Sequence, residues 1–187
     1  KVNSFGFNAK LGQGGYFIAE ADESDASFLH LSPMISIVTN IDRDHMETYE
    51  HDFELLTATF LEFIHRLPFY GLVVLCIDDP AVRSLLPAIT RPYITYGFSA
   101  DADIRAINWH VDGRRTHFTV QIPGYSEPIA MQVNLSGKHN VLNSLAALAV
   151  ALEADIPVTC IQDSLAQFKG VGRRFEVLGE FSIDDKN

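Results

Sequence analysis

The segment Asn40-Ile41-Asp42-Arg43-Asp44-His45-Met46 follows directly on the apolar run Ile35-Ser36-Ile37-Val38-Thr39. A short β-branched run that breaks into Asn, charged residues and a His reads as the carboxyl end of a buried parallel strand. Open α/β sheets bind ligands at that end. A His flanked by carboxylates there can ligate a metal, because neutral imidazole offers a lone pair and the acids raise the local negative potential. The plain alternative is a solvated loop with an incidental His. A second acidic segment adds weight to the chemical reading. Tyr16-Phe17-Ile18-Ala19 reads as another buried strand, running into Glu20-Ala21-Asp22-Glu23-Ser24-Asp25. Two neighbouring parallel strands would set Glu20 and His45 at one end of a sheet. Carboxylate oxygen suits a hard cation such as Mg²⁺, which usually keeps waters and substrate phosphates as further ligands. Ser24 or Asp25 also reads as the cap of a helix over Ala26–Leu31. Both readings can hold, since Glu20 precedes the cap.

A second polar constellation is Ser136-Gly137-Lys138-His139-Asn140-Val141-Leu142-Asn143. It opens a helix with small and polar residues where free backbone amides would face a ligand. Asn140 and Asn143 fall on one helical face. Carboxamides donate and accept together, which suits the edge of a purine. An Asn cap followed by an unrelated polar residue explains the same pattern. Gly170-Val171-Gly172-Arg173-Arg174 places two fixed cations after a flexible turn, and the Arg fork fits phosphate.

Other motifs mislead. Gly12-Gln13-Gly14-Gly15 has no following Gly-Lys-Ser/Thr and precedes a strand, so it reads as a turn. Gly137-Lys138 is followed by His139 and also fails the P-loop pattern. His30, His51, His65, His110 and His117 show no metal-ligand spacing and read as surface or packing residues. Trp109 and the many Phe residues read as core.

These residues need a scaffold. Strands are expected at Phe17–Ala21, Ile35–Thr39, Leu72–Ile77 and Tyr93–Tyr96. Phe53, Leu56, Phe60, Phe63, Ile64 and Leu67 recur at helical spacing over Asp52–Leu67, with Asp52 as cap and Pro68 as stop. Asp79-Pro80 opens a shorter helix to about Leu86. This βαβ order predicts a mostly parallel sheet flanked by helices, an α/β fold. Alternating segments Ile104–Val111, Thr116–Ile122 and Ile129–Leu135, separated by Asp112-Gly113 and Pro123-Gly124, predict a small antiparallel meander at about 103–135. Helices follow at Asn140–Ala154 and Val158–Phe168, then a last strand at Phe175–Phe181 and a polar tail.

The chain has 187 residues, 47% hydrophobic and 20% charged, with net charge −10. One domain with a sizeable core is the expectation. The acidic balance argues against nucleic acid, which needs a basic patch. No apolar run reaches membrane-span length. Cys76 and Cys160 read as reduced, buried thiols, which points to the cytoplasm.

Taken in order, the motifs resemble the Mur ligase family of cell-wall synthesis. The match is carried by Ala19–Leu29, Thr39–Tyr49 with Asp44-His45-Met46, Leu67–Gly71, Asp78-Asp79-Pro80, Tyr96-Gly97-Phe98, Gly137–Asn143 and Gly170–Glu176. The resemblance covers essentially the whole chain and implies a P-loop-NTPase-like central domain over residues 1–181, cut after its P-loop. Residues 182–187 would begin a linker to a further domain. It implies an ATP-dependent ligase that phosphorylates a muramyl carboxylate and lets an amine attack the acyl phosphate. ATP and Mg²⁺ are the implied cofactors. The run Ala19–Leu29 favours the alanine-adding branch, with UDP-N-acetylmuramate and L-alanine as partners of the intact enzyme. Peptide-recycling and folylpolyglutamate-type ligases are the neighbouring alternatives. A metal-dependent phosphoesterase and a non-catalytic domain stand outside the family.

By resemblance, Glu20 binds the Mg²⁺ of the ATP phosphates and His45 binds a second Mg²⁺ shared with the muramyl carboxylate. Asn140 and Asn143 match the adenine-recognition pair, and Arg174 matches an arginine that reaches the nucleotide. Asp44 orients its loop. Many members also carry a carbamylated lysine after the metal-binding His. Here no Lys lies between Lys10 and Lys138, so Glu54, Glu62 or water would have to substitute.

Overall fold

The computed structural model describes residues 9–171. Its centre is one six-stranded sheet: β1 (Ile35–Val38), β2 (Leu72–Cys76), β3 (Tyr93–Gly97), β4 (Ile104–Asp112), β5 (Arg115–Gln121) and β6 (Ile129–Val133), side by side in chain order. The first four strands run parallel. β4, β5 and β6 are antiparallel, which is the expected meander. It is continuous with the parallel part through β4.

Among the described residues, four α-helices cover the sheet: α1 (Phe53–His65), α2 (Pro80–Leu85), α3 (Lys138–Glu153) and α4 (Val158–Gln167). All five residues of β2 are buried, as expected of a parallel strand covered on both faces. Successive side chains alternate between faces, so β2 feeds two cores. Val73 and Leu75 pack with Leu56, Ile64 and Leu67 of the α1 segment and with Val82 and Leu85 of α2. Leu72, Val74 and Cys76 join Tyr96, Phe118, Val120 and Met131 beneath Val141, Leu145 and Leu148 of α3 and Ile161 of α4.

Local chemistry sets the helix starts. Asp52 Oδ1 accepts the Glu54 N–H at 2.8 Å, and Asp79 Oδ1 accepts the Val82 N–H at 2.8 Å. Pro80 occupies the first position of α2, where its missing N–H costs nothing. At Gly71 the backbone approach is close: a Cβ there would meet the Met34 carbonyl at 2.8 Å.

Several expectations need correction. Phe17–Ala21 is not a strand. Phe17 is 94% and Ile18 90% exposed, and among the described residues no strand pairs with this run. An apolar run cannot hold strand geometry without a neighbour to take its N–H and C=O groups. The helix expected over 26–31 is one 3₁₀ turn, Ser27–His30, entered through Ala26 at φ 58°. Cys76 is buried as expected, but Cys160 is exposed on α4. Trp109 is 39% exposed and Phe69 81%, so neither belongs to the core, whereas Phe28, Phe63 and Phe118 do. The expected strand at 175–181 and the polar tail lie outside the described residues. No described helix is long and apolar enough to cross a membrane.

Candidate active site at the carboxyl end of the sheet

The loop after β1 is fastened at two buried points, Ile41 and Tyr49, with its polar residues turned outward. Thr39 Oγ1 donates to Asn40 Oδ1 at 2.9 Å, and Asn40 Nδ2 donates to Asp42 Oδ2 at 2.7 Å. His45 is exposed and sits at φ 53°. Non-glycine residues in that left-handed region are uncommon and gather at ligand sites and switches. The His45 carbonyl accepts the Thr48 N–H at 3.1 Å and closes the turn. Asp44 is exposed, and Asp42, not Asp44, carries the loop's side-chain hydrogen bond from Asn40.

The acidic segment lies against this loop, as the sequence suggests, although no strand carries it there. Thr48 Oγ1 donates to the Ser24 carbonyl at 2.5 Å, and the Tyr49 hydroxyl donates to the Glu23 carbonyl. Asp22 is held below its ordinary carboxylate range by hydrogen bonds from Ser24, with a smaller pull from His45. Asp25 is lowered in the same way by Ser27, whose N–H it accepts at 2.9 Å. Burial raises the Tyr49 phenol, and Glu23, Asp25 and Asp22 raise it further. Asp22 and His45 are therefore electrostatic neighbours. Glu20 lies just upstream and is exposed.

Between β1 and β2 the same end of the sheet opens a cleft of about 480 Å³, lined by Ile41, Asp42, Arg43, Phe53, Asp79 and Ser84 among others. The Arg43 guanidinium lies 4.6 Å from the Phe53 ring centre. Neither Glu20 nor His45 lines this cleft.

A residue that sequence reasoning left unexplained organises the next strand end. Asp78 accepts the Phe98 N–H at 2.9 Å, the Ser99 N–H at 2.9 Å and the Ser99 hydroxyl at 2.7 Å. Burial alone would raise its carboxyl, but these bonds and the charge of Lys138 outweigh that and lower it. Gly97 is required by the approach: a Cβ there would sit 2.4 Å from Asp78 Oδ1. Asp78-Asp79-Pro80 and Tyr96-Gly97-Phe98 are visible as motifs in the sequence, but their contact is not.

Lys138 brings α3 to this same end, its ammonium 4.7 Å from the Phe98 ring centre. Helix α3 starts at Gly137, φ 112°, with no side-chain cap on its first amides. Asn140 Nδ2 donates to the Ser136 carbonyl at 2.9 Å and lies 3.0 Å from His139 Nε2. Part of the Asn140 carboxamide is thus engaged in closing the turn. Asn143 is exposed one turn along. Arg174 lies outside the described residues. The structure therefore brings the acidic segment to the His45 loop, and sets the Asn140–Asn143 face at the same end of the sheet.

A metal at Glu20 and His45 would find no protein cage: among the described residues no group of three or more His, Cys, Asp or Glu could enclose an ion. An exposed carboxylate and imidazole on adjoining segments do fit an open half-shell, which Mg²⁺ tolerates because it keeps waters and phosphate oxygens.

A model of the Mur ligase middle domain matches residues 2–151. The chain belongs to the Mur ligase family. Solved structures share its fold. The UDP-N-acetylmuramate–alanine ligase MurC of Thermotoga maritima superposes with TM-score 0.73 at 24% identity, over 86% of this chain and 35% of that one. MurF of Acinetobacter baumannii gives 0.71 at 18% identity, over 84% and 34%. The UDP-N-acetylmuramate:L-alanyl-γ-D-glutamyl-meso-diaminopimelate ligase of Neisseria meningitides gives 0.69 at 24% identity, over 82% and 48%. The chain thus spans about a third to a half of the length of these structures.

Proposed function

We propose that this chain is the ATP-binding middle domain of an ADP-forming ligase that joins L-alanine to UDP-N-acetylmuramate in peptidoglycan synthesis. The observation that carries the reading is the lacing of the acidic segment 22–25 onto the His45 loop, in a chain whose residues 2–151 match the Mur ligase middle domain. Phosphoryl transfer between two anions needs charge neutralisation and alignment. Glu20 would hold the Mg²⁺ of the ATP phosphates, and His45 a second Mg²⁺ near the substrate carboxylate; the ions would supply Lewis-acid neutralisation of the reacting oxygens. Asn140 and Asn143 would face the base, and Arg174 the nucleotide's phosphate or ribose. Support for nucleotide on this fold comes from MurF of Thermotoga maritima, solved in complex with ADP, at TM-score 0.66 and 21% identity.

Alanine is preferred as the amine because of the run Ala19–Leu29. The identities to MurC and to the Neisseria peptide ligase are both 24%, so the choice is put to experiment. The full-length enzyme carrying this chain is assayed with ATP, Mg²⁺ and UDP-N-acetylmuramate, offered either L-alanine or L-alanyl-γ-D-glutamyl-meso-diaminopimelate. ADP release dependent on L-alanine is expected. Release only with the tripeptide would assign a recycling ligase, and release with neither would remove the ligase reading. The 187 residues contain no Gly-Lys-Ser/Thr phosphate loop, so no backbone cradle or P-loop lysine faces the β- and γ-phosphates. In the same assay the 187-residue chain alone is expected to show no turnover.

A further inference from the structure

We infer that His110 and His117 form a two-imidazole site for a late first-row divalent ion, Zn²⁺, Cu²⁺ or Ni²⁺, on the outer face of the β4–β5 hairpin. Their positions in the sequence give no ligand spacing, but a β-bulge brings them together. Upstream of the bulge Ile107 pairs with Thr119, and downstream His110 pairs with His117. Asn108 and Trp109 both stand opposite Phe118. In unbroken register Trp109 would face His117, and His110 would oppose Thr116, which is buried on the α3 side. The inserted residue turns His110 to the outer face, and Asn108 at φ 51° absorbs the insertion. Re-aiming a side chain is what bulges do beside functional sites.

The two rings lie face to face, centres 5.2 Å apart and planes 14° from parallel. His110 is exposed and His117 half-buried. Directly opposed residues keep their Cβ atoms about 4.5–5.5 Å apart, so side-chain rotation alone can aim a nitrogen from each ring at one ion, at the usual ~2.0–2.1 Å. Imidazole suits Zn²⁺, Cu²⁺ and Ni²⁺, whereas Mg²⁺ takes mainly oxygen ligands and competes weakly for a site whose protein donors are two imidazoles. With both ligands fixed on one hairpin, the second bond forms intramolecularly. Gln132 pairs with His117 on the other side, so a carboxamide oxygen stands next in the row. Asp112 and Arg115, the next outward pair toward the hairpin tip, carry offsetting charges. Water completes the shell. An ion here cross-links β4 to β5 and stabilises the folded chain by linkage.

The test is a calorimetric Zn²⁺ titration of the chain in excess Mg²⁺, paired with thermal melts. One ion bound through the hairpin and a rise in Tm are expected. His110→Gln and His117→Gln should each weaken binding about tenfold or more and remove the rise in Tm, while His51→Gln changes neither. Should either hairpin variant fail to fold, Zn²⁺ must protect His110 and His117 of the unaltered chain from diethyl pyrocarbonate, read by peptide mass. No Zn²⁺ binding, binding indifferent to both substitutions, or no protection of these two rings overturns the site.

Discussion

At the residue scale, the proposed chemistry rests on side chains that lie in solvent and do little for the fold. Glu20 and His45 are both exposed, so replacing either should cost function and not stability. In the full-length enzyme, Glu20→Ala and His45→Ala should each remove most turnover with an unchanged melting temperature. Loss of a charge-stabilising contact to a transferring phosphoryl group commonly costs ~3–4 kcal/mol, a hundredfold or more in rate. Steady-state kinetics at saturating Mg²⁺ check this, and near-normal turnover in either variant would refute that residue's role. The nucleotide side separates differently. Asn140 already donates to Ser136, so Asn143 is the cleaner probe of base recognition. Asn143→Ala should weaken ATP by ~1–3 kcal/mol, the cost of a lost hydrogen-bond partner, and leave the KM for UDP-N-acetylmuramate unchanged. Arg174→Ala should weaken ATP and GTP alike. Equal losses of ATP and GTP use in Asn143→Ala would argue against a contact to the base.

At the scale of elements, Asp78 is the joint between the ends of β2 and β3. Its carboxylate holds Phe98 and Ser99 through hydrogen bonds from three donors and draws on Lys138 at the start of α3. These bonds, working against burial, lower its folded pKa below the ordinary value of about 3.9. A lowered carboxylate contributes stability that is fully present above the unfolded pKa and is lost as pH falls through the folded one. Asp78→Asn should therefore be less stable than the unaltered chain near neutrality by ~1–2 kcal/mol, and the gap should close as pH drops below about 4. Urea melts of both proteins across that range measure it; a gap independent of pH would mean the carboxylate's charge does not matter. The elements themselves were largely legible. Asp52 and Asp79 announced α1 and α2, and alternation announced β4 to β6, because capping and burial act over a few residues. What failed was non-local. Tyr16-Phe17-Ile18 has strand composition, but a strand exists only beside a partner, and composition does not say whether one is present. The bulge at Asn108-Trp109 was equally invisible, since an extra residue in a strand leaves no pattern beyond a slipped alternation.

At the scale of the molecule, the carboxyl end of the parallel strands carries the His45 loop, the Asp78 joint and the start of α3 with Asn140. The βαβ order made that architecture readable, because parallel strands must return through helices and so share a carboxyl end. The site was readable only in part: the acidic segment reaches the His45 loop through Thr48 and Tyr49, not through the strand expected to carry it. How a second metal would be held on this scaffold follows from the residues of α1. Helix α1, the first helix after His45, carries Glu54 and Glu62 but no lysine, and no lysine occurs between Lys10 and Lys138. A carbamate bridge needs a neutral amine to react reversibly with CO₂. Without one, a second Mg²⁺ would rest on His45, water and substrate oxygens, a shell that this ion accepts. Glu62 is already paired with Arg66 at 2.8 Å, so Glu54 is the α1 carboxylate chosen for the test. Activity of the full-length enzyme should then be the same in degassed and bicarbonate-supplemented buffer at fixed pH. Stripping CO₂ should cause no reversible loss, and Glu54→Gln should raise the Mg²⁺ concentration needed for half-maximal rate. A clear rescue by bicarbonate would mean that a lysine elsewhere in the enzyme supplies the bridge, and that the α1 carboxylates are bystanders.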